Sequence, residues 1–365
     1  MSEAFNIISF LKSAVVSGAS DEHLKVGQPP FIRKNGFIKK TNMAPLTKEE
    51  LDSAILEIAP TAIREEILTR CDVDFMYEIK GCSRFRVNYN RQLGQPGLVI
   101  RNISYNIPEL SELSLPDILH TFVEQQNGII LVTGPTGSGK STTIASLINQ
   151  INNTAAKHIV TIEDPIEYVY VSKKSIITQR QVNVDTKDFS DGIKYALRQD
   201  PDVIFIGEIR DKETMEAALK ASETGHLVLS TLHTNDAVQT INRIVNMFEE
   251  SNRFLIRRQL SETLRATIAQ KLIYSEQDQK RYPACEIMVV TSTIKDYITK
   301  DNTEEIYELL RDNTVDNMIS MNTSLALLTD KGCISEEEAL ANSNDEAELE
   351  KMFRGVYQGT KAYYE

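Results

Sequence analysis

The chain has 365 residues, of which 41% are hydrophobic and 25% charged, and its formal net charge is −12. The length predicts two domains, each able to bury a core, and the composition is that of an ordinary soluble protein rather than a disordered one. An acidic chain without a basic stripe argues against a nucleic-acid motor, so we expect no nucleic-acid partner.

The four cysteines form no C-x-x-C pair, so the sequence suggests neither a zinc site nor a thioredoxin-like motif. No disulfide framework is implied, which is typical of a reducing compartment. No signal peptide is visible, and no apolar run approaches the roughly 18 residues of a membrane span. We therefore expect a cytoplasmic protein, and docking on a membrane complex stays open.

The first part of the chain predicts a mixture of helices and strands. Apolar spacing over residues 3–18 predicts a helix, and residues 31–38 predict a hairpin with Asn-Gly at its tip. Thr47 and Glu50 have the spacing of a capping box, which predicts a second helix.

Residues 73–104 predict strands, and residues 83–90 alternate strictly between polar and apolar side chains. One face carries Arg84, Arg86, Asn88 and Asn90, and the other carries Phe85, Val87 and Tyr89. The plain interpretation of the polar face is a solvated surface. The functional interpretation is that its arginines stabilise a phosphoryl transition state.

The most informative motif fits the pattern G-x-x-x-x-G-K-[ST]. Its residues are Gly134, Pro135, Thr136, Gly137, Ser138, Gly139, Lys140, Ser141 and Thr142. An apolar run precedes it and a helix-compatible run follows it, which is the strand–loop–helix setting of a phosphate-binding P-loop. Residues 117–126 predict a helix that leads into the strand before the loop.

The residue types of this loop suit a nucleoside triphosphate. Its glycines let backbone N–H groups turn toward phosphate oxygens, and the helix that follows adds a favourable dipole. Lys140 has the length to reach the β- and γ-phosphates. Ser141 offers a ligand to Mg²⁺, and Thr142 a contact to the α-phosphate. We therefore predict ATP and Mg²⁺ as the bound groups.

After this loop the chain alternates strands and helices, which predicts a mostly parallel sheet with crossover helices. The strand before residue 164 ends in three carboxylates, Glu163, Asp164 and Glu167. A second apolar strand, residues 203–206, is followed by Glu208. Carboxylates at such strand ends face the ligand crevice, where Glu208 would polarise a water or hold a metal-bound water.

A third strand lies between two histidines, His226 and His233, and ends in hydroxyl residues. These side chains are candidates for sensing the γ-phosphate and relaying its loss. Further along, residues 254–273 and 303–355 predict helices, and Ser335 with Glu338 predicts another capping box. The acidic faces of these helices are either partner surfaces or solvated faces.

Together these stretches resemble the type IV pilus retraction ATPases of the PilT/PilU type, within the secretion ATPase superfamily. Four ordered segments carry the resemblance: the P-loop at 134–142, an Asp box at 161–167, a Walker B segment at 197–211 and a His box at 225–235. Residues 18–30 and 84–88 match as well, so the resemblance spans about residues 5–355.

The resemblance implies a PAS-like domain over residues 1–107 and a RecA-like ATPase domain over 108–365, whose C-terminal region is helical from about 276. It implies a homohexamer with ATP between domains and neighbouring subunits. The implied catalytic residues are Glu208, with Glu167 or Glu163 assisting, His233 and His226 as sensors, and Arg86 and Arg101 reaching the phosphates. Arg84 and Arg91 match the phosphate-reaching arginines less closely.

Such ATPases pull pilin subunits from the pilus base into the inner membrane. The implied partners are an inner-membrane platform protein, the pilus machinery and a paralogous retraction ATPase. The stretch 293–300 departs from the family's C-terminal motif, because both arginines and the final glutamate are replaced. An accessory, PilU-like role with little independent retraction activity therefore stays open. Extension ATPases usually carry a tetracysteine zinc site, so we expect retraction rather than assembly.

Overall fold

The structure is a computed structural model that describes residues 5–34, 36–103, 106–311 and 318–355. The chain divides into two compact units. Unit 1 contains residues 1–106 together with Glu167–Val169, and unit 2 contains Ile107–Ile166 and Tyr170–Glu365. The division lies one residue from the domain boundary predicted at 107/108.

In its described residues, unit 1 contains three helices and one antiparallel sheet. The helices are α1 (Ile7–Ser17), α2 (Lys48–Ile58) and α3 (Thr61–Thr69). The strands are β1 (Asp21–Lys25), β2 (Phe31–Lys34), β3 (Phe37–Lys40), β4 (Val73–Ile79), β5 (Ser83–Gln92) and β6 (Gln95–Ile103). Their order in the sheet is β3-β2-β1-β6-β5-β4.

The alternation predicted for residues 83–90 is confirmed in β5. Phe85, Val87 and Tyr89 are buried in the core of unit 1, whereas Arg84 and Arg86 lie on the other face of the strand. The predicted capping boxes at Thr47 and at Ser335 are also present. Unit 1 is thus a sheet with one apolar face covered by helices and one polar face that carries arginines.

Unit 2 is built on a seven-stranded sheet. Its strands are β7 (Gly128–Thr133), β8 (His158–Glu163), β9 (Ile176–Gln181), β10 (Val203–Ile206), β11 (Leu227–Leu232), β12 (Leu264–Ser275) and β13 (Lys280–Val289). Its first helices are α4 (Leu119–Phe122), α5 (Lys140–Thr154), α6 (Phe189–Ala196), α7 (Lys212–Glu223), α8 (Ala237–Asn246) and α9 (Glu250–Thr263). The later helices are α10 (Ser292–Lys300), α11 (Glu305–Arg311), α12 (Met321–Asp330), α13 (Glu336–Leu340) and α14 (Glu346–Phe353).

The strand order is β13-β12-β7-β11-β10-β8-β9, and every neighbouring pair is parallel except β12 with β13. This confirms the predicted, mostly parallel sheet. Its two faces are covered by two apolar clusters, as expected when crossover helices pack on both sides. Because the strands run in the same direction, the carboxyl ends of β7, β8, β10 and β11 meet at one edge.

Three predictions from the sequence are wrong in extent. The helix predicted over 254–273 ends at Thr263, and β12 begins at the next residue. The region predicted as helical from about 276 first forms β13, so its helices begin only at Ser292. In the first case, most of residues 264–273 are buried on both faces of the strand, so the stretch lacks the two-residue alternation that would distinguish a half-buried strand from a helix. The helix predicted over 117–126 is limited to the four residues of α4. No helix in the described part of the chain is long and apolar enough to cross a membrane.

Candidate active site

The P-loop connects β7 to α5, which confirms the strand–loop–helix arrangement. Gly134 follows β7 with a φ of +139°, and Gly139 caps α5 with a φ of +91°. Both φ values lie in a region that a side chain disfavours, so glycine is required where the loop leaves the strand and where it enters the helix. The amino end of a 15-residue helix therefore opens into the loop, as a phosphate site needs.

Lys140, the first residue of α5, is buried and turns back across the loop. Its Nζ donates hydrogen bonds to the carbonyl oxygens of Gly134 at 2.8 Å and Pro135 at 3.0 Å. The loop therefore holds the ammonium group within itself. A phosphate oxygen would replace these neutral acceptors with a charged one, which makes a stronger hydrogen bond.

Glu208 lies just beyond the carboxyl end of β10, and each of its carboxylate oxygens contacts a different side chain. Its Oε2 lies 2.8 Å from an Arg210 nitrogen, and its Oε1 lies 3.1 Å from Nε2 of His233. His233 follows β11, the neighbouring parallel strand, so the register of the sheet brings the two side chains together.

Burial raises the pKa of the Glu208 carboxyl, but the hydrogen bond and charge of Arg210 oppose it, followed by the charges of His233 and Lys140. The net result is a pKa below the ordinary value. Glu208 is therefore ionised at neutral pH. Lys140 acts on this carboxylate electrostatically, so the P-loop and Glu208 belong to one site.

Glu163, the last residue of β8, is buried and held by neutral donors. Its Oε1 accepts hydrogen bonds from Thr161 Oγ1 at 2.7 Å and from Gln179 Nε2 at 3.1 Å. β8 pairs with β10, so Glu163 ends its strand at the same sheet edge as Glu208. Asp164 and Glu167 are exposed, and Glu167 falls in the segment grouped with unit 1.

The family described as "Type II/IV secretion system protein" matches residues 71–329, more than half of the chain. The chain belongs to this family.

Within the family, the chain is 39% identical to the type IV pilus retraction ATPase PilT of Pseudomonas aeruginosa, over 95% of this chain and 100% of PilT. It is 36% identical to the type IV pilus ATPase PilU of the same bacterium, over 94% of this chain and 90% of PilU. The crystal structure of the pilus retraction motor PilT with bound ADP is similar, with a TM-score of 0.89 and 43% identity over 95% of this chain and 100% of that one. The ATPase DotB of Legionella pneumophila gives a TM-score of 0.81 at 29% identity, over 97% and 98% of the two chains.

The fold class predicted from the sequence is thereby confirmed: a RecA-like P-loop ATPase domain of the secretion family, preceded by a smaller α+β, PAS-like domain. The PilT of that crystal structure binds ADP. The individual site residues of this chain stay predictions, and the structure places them in three different positions.

His226 lies at the opposite edge of the sheet from His233. It precedes β11, and its Nδ1 lies 2.9 Å from the carbonyl oxygen of Ala221 and 3.2 Å from Thr224 Oγ1. A six-residue strand separates the two histidines, which is about 20 Å at the rise of a β-strand. His226 therefore lies far from the P-loop of its own chain, and this position does not support the γ-phosphate-sensing role predicted for it.

Arg86 and Arg101 lie in unit 1, directly opposite each other on β5 and β6. Arg101 Nε lies 3.0 Å from Asp21 Oδ1, and an Arg86 nitrogen lies 3.8 Å from Asp74 Oδ2. Arg84 shares their face, whereas Arg91 is exposed near the end of β5 and donates to the Tyr89 hydroxyl at 2.8 Å. The structure thus gathers Arg84, Arg86 and Arg101 on one face of the sheet, and Arg86 and Arg101 pair with carboxylates of their own unit.

The residues around the P-loop suit a magnesium ion that arrives with its nucleotide. In the described ranges no group of three or more His, Cys, Asp and Glu side chains is arranged to hold a metal. Mg²⁺ is usually held by one or two protein groups, substrate phosphates and waters, so a dedicated cage is not needed. Ser141 in the first turn of α5 and the ionised Glu208 are the two groups that fit this role.

Sequence reasoning missed Gln270 and Lys271 on β12, which lie beside the P-loop. A cavity of about 300 Å³ is lined by residues 135–138 of the loop, by Lys271 and Leu272, and by residues 341–343. Lys271 Nζ donates to the Asn342 carbonyl at 2.8 Å and to Asn344 Oδ1 at 2.9 Å. Gln270 and Lys271 were missed because the sequence predicts a helix over 254–273, and a helix gives no reason to place them on a strand beside the P-loop.

Proposed function

We propose that the chain is a hexameric ATPase motor that hydrolyses ATP to power type IV pilus retraction, and with it twitching motility. The observation that carries the proposal is the Glu208 carboxylate, held by Arg210 and His233 at the edge of the sheet where the P-loop opens. The similarity to PilT over nearly the whole chain supplies the biological process.

ATP binds with its β- and γ-phosphates in the P-loop. The N–H groups of the loop and the positive end of α5 stabilise the phosphate charge, and Lys140 moves its ammonium from the loop carbonyls to the phosphates. Bound Mg²⁺ supplies positive charge that neutralises the phosphate oxygens. Ser141 and Glu208 are the residues that would hold it.

Glu208 orients the attacking water and takes its proton. A carboxylate with a lowered pKa is a weak base, but a largely dissociative transition state needs the water to be positioned more than deprotonated. Arg210 and His233 fix the carboxylate through its two oxygens. His233 is well placed to report the loss of the γ-phosphate, because it lies against the same carboxylate.

Glu163 is a second carboxylate at this edge, and we assign it an assisting role that it shares with Glu167. Arg86 and Arg101 are assigned to the phosphates in the assembled hexamer. The support is their exposure: 40% of the Arg86 side chain and 66% of the Arg101 side chain are accessible. Arginines add positive charge to a phosphoryl transition state.

The second candidate function is an accessory subunit of the PilU type, which binds nucleotide and supports another retraction ATPase. The observation that favours it is α10, the stretch that departs from the family motif. Ile294 and Ile298 are buried there, whereas Lys295 pairs with Glu262 and Lys300 pairs with Asp296. The helix keeps its buried apolar positions, while the charged positions of the family motif are changed.

As a motor, the chain acts in the cytoplasm, docked at the inner-membrane base of the pilus machine. Its partners are five further copies of itself, an inner-membrane platform protein and a paralogous retraction ATPase. The test is to replace the chromosomal gene with a Glu208→Gln allele in the bacterium that carries it. We expect more surface pili and loss of twitching motility, and unchanged pili and motility would contradict the proposal.

A further inference from the structure

A buried glutamine on β12 contacts both ends of the P-loop. β12 runs parallel to β7, and their last paired residues are Ala269 and Thr133. The next residue on β12, Gln270, therefore lies beside Gly134, where the loop leaves its strand. Only 3% of Gln270 is exposed.

The backbone of Gln270 makes the first of these contacts. A Cβ on Gly134 would lie 2.2 Å from the Gln270 carbonyl oxygen, so the two backbones touch with no space for a side chain. The side chain makes the second contact, because a Cβ on Gly139 would lie 2.7 Å from Gln270 Nε2. One residue thus fixes the start and the end of the loop.

The same side chain is tied to α5. Thr143 Oγ1 donates a hydrogen bond to Gln270 Oε1 at 2.8 Å, and both residues are buried. Thr143 also belongs to the first turn of the helix, since its backbone N–H donates to the Gly139 carbonyl at 3.0 Å. The hydrogen bond therefore fixes how the phosphate-binding end of α5 sits against the sheet.

A glutamine that only filled space at position 270 would cost free energy. Ala266 and Ile268 lie on the same face of β12, because side chains alternate along a strand, and both pack in the apolar cluster with Ile144 and Leu147 of α5. Gln270 is the next residue on that otherwise apolar face, and its buried side chain carries a polar amide. Burying an amide costs free energy unless it is hydrogen-bonded, so an apolar residue would serve packing better.

From these contacts we infer that Gln270 is a positioning residue for nucleotide binding, which holds the P-loop and the amino end of α5 in the geometry that phosphates require. It does not touch the substrate and acts through Gly134, Gly139 and Thr143. The inference rests on the proposed ATP-hydrolysing function.

The test is fluorescence titration of the purified full-length protein with mant-ADP, together with KM and kcat for ATP. Gln270→Met keeps the length of the side chain and removes both polar groups. We expect it to raise the mant-ADP Kd and the ATP KM about fivefold to tenfold, the size of one buried hydrogen bond. Gln277→Met, at the exposed turn of the same hairpin, is the control and should match the wild type.

The partner residue supplies an independent arm. Thr143→Val removes the hydroxyl and should weaken mant-ADP binding, whereas Thr143→Ser keeps the donor and should restore it. The Gln270→Met/Thr143→Val double variant should bind no more weakly than the weaker single variant, because both remove the same hydrogen bond. If Gln270→Met does not fold, the comparison of valine with serine at 143 decides alone.

Two results would overturn the inference. One is a lower thermal midpoint without nucleotide while Kd and KM stay within about twofold of the wild type, as for a residue that only stabilises the fold. The other is strict additivity of the two single variants. If the wild type binds mant-ADP and the variants behave as expected but pili do not retract, the retraction proposal fails and the positioning role stands.

Discussion

His233 and Glu208 face each other across two neighbouring parallel strands, with Nε2 of the histidine 3.1 Å from Oε1 of the carboxylate. The other carboxylate oxygen is held by Arg210 at 2.8 Å. Both oxygens of the proposed catalytic group are thus fixed before substrate binds. Such preorganisation lowers the cost of arranging charge in the transition state.

The pH dependence of hydrolysis should depend on Arg210. Its hydrogen bond and charge are the main influences that lower the pKa of Glu208, against burial, which raises it. In Arg210→Gln the burial remains and the main opposing influence is lost, so the pKa of Glu208 rises. The acid limb of the kcat/KM profile should therefore move to higher pH, which is measured by steady-state kinetics between pH 4 and 9.

His233→Asn should move the same limb in the same direction by less, because the charge of His233 is the weaker influence on the Glu208 pKa. Glu216→Gln on α7, an exposed carboxylate paired with Lys212, is the control and should leave the profile in place. An acid limb that does not move in Arg210→Gln would show that Glu208 does not control it.

Stability of unit 1 should depend on the protonation of Glu22. This residue of β1 is fully buried, and burial raises the pKa of its carboxyl from 4.5 to about 8, although the hydrogen bond from Asn102 opposes the shift. The folded state thus binds the proton more tightly than the unfolded state. Stability is full below the unfolded pKa and is lost as pH rises toward the folded pKa.

Glu22→Gln removes this titration and should stabilise the protein at pH 7 by about 3 kcal/mol. Hydrogen exchange of the β1 and β6 amides in the full chain, compared at pH 5 and pH 8, measures the effect. The wild type should lose protection at pH 8 and Glu22→Gln should not. Glu78→Gln, an exposed carboxylate on β4, is the control, and equal loss of protection in all three proteins would refute the prediction.

A comparison of Arg101 with Arg33 tests whether Arg101 is catalytic or only structural. Arg101 and Arg33 both pair with Asp21, at 3.0 Å and 3.8 Å. The Asp21 side chain is only 12% accessible, whereas those of Arg101 and Arg33 are 66% and 35% accessible. Because the remaining arginine still pairs with Asp21 when the other is replaced, alanine at either position should lower the thermal midpoint by a similar, small amount. Arg101→Ala should lower ATP turnover by about 10³-fold, as for an arginine that stabilises a phosphoryl transition state, and Arg33→Ala should not. Equal turnover in the two variants would remove Arg101 from the site.

Local sequence rules were sufficient for part of this architecture. The P-loop setting and the alternation in β5 depend on residues close in the chain, and both were predicted correctly. The boundary between α9 and β12 was not, because that stretch is buried on both faces and has no period. Gln270 could not be found in this way, since its hydrogen bond to Thr143 joins residues 127 positions apart.

The pair of histidines shows a different limit. The sequence places both beside one strand, and both were therefore assigned to the same site. The two ends of a strand lie at opposite edges of the sheet. Of these two histidines, only His233 therefore reaches the edge at which the P-loop and Glu208 lie. In a parallel sheet, a side chain that follows a strand lies at the edge where ligands bind, whereas a side chain that precedes the strand lies at the opposite edge.

The most direct test of the central claim is steady-state ATP turnover of the purified wild-type protein, with its oligomeric mass measured in the same buffer. We expect a hexamer that hydrolyses ATP. Glu208→Gln should still bind mant-ADP but turn over at least about 100-fold more slowly, and the Glu216→Gln control should match the wild type. A wild-type protein that binds ATP and barely hydrolyses it would contradict the motor and leave the accessory function in its place.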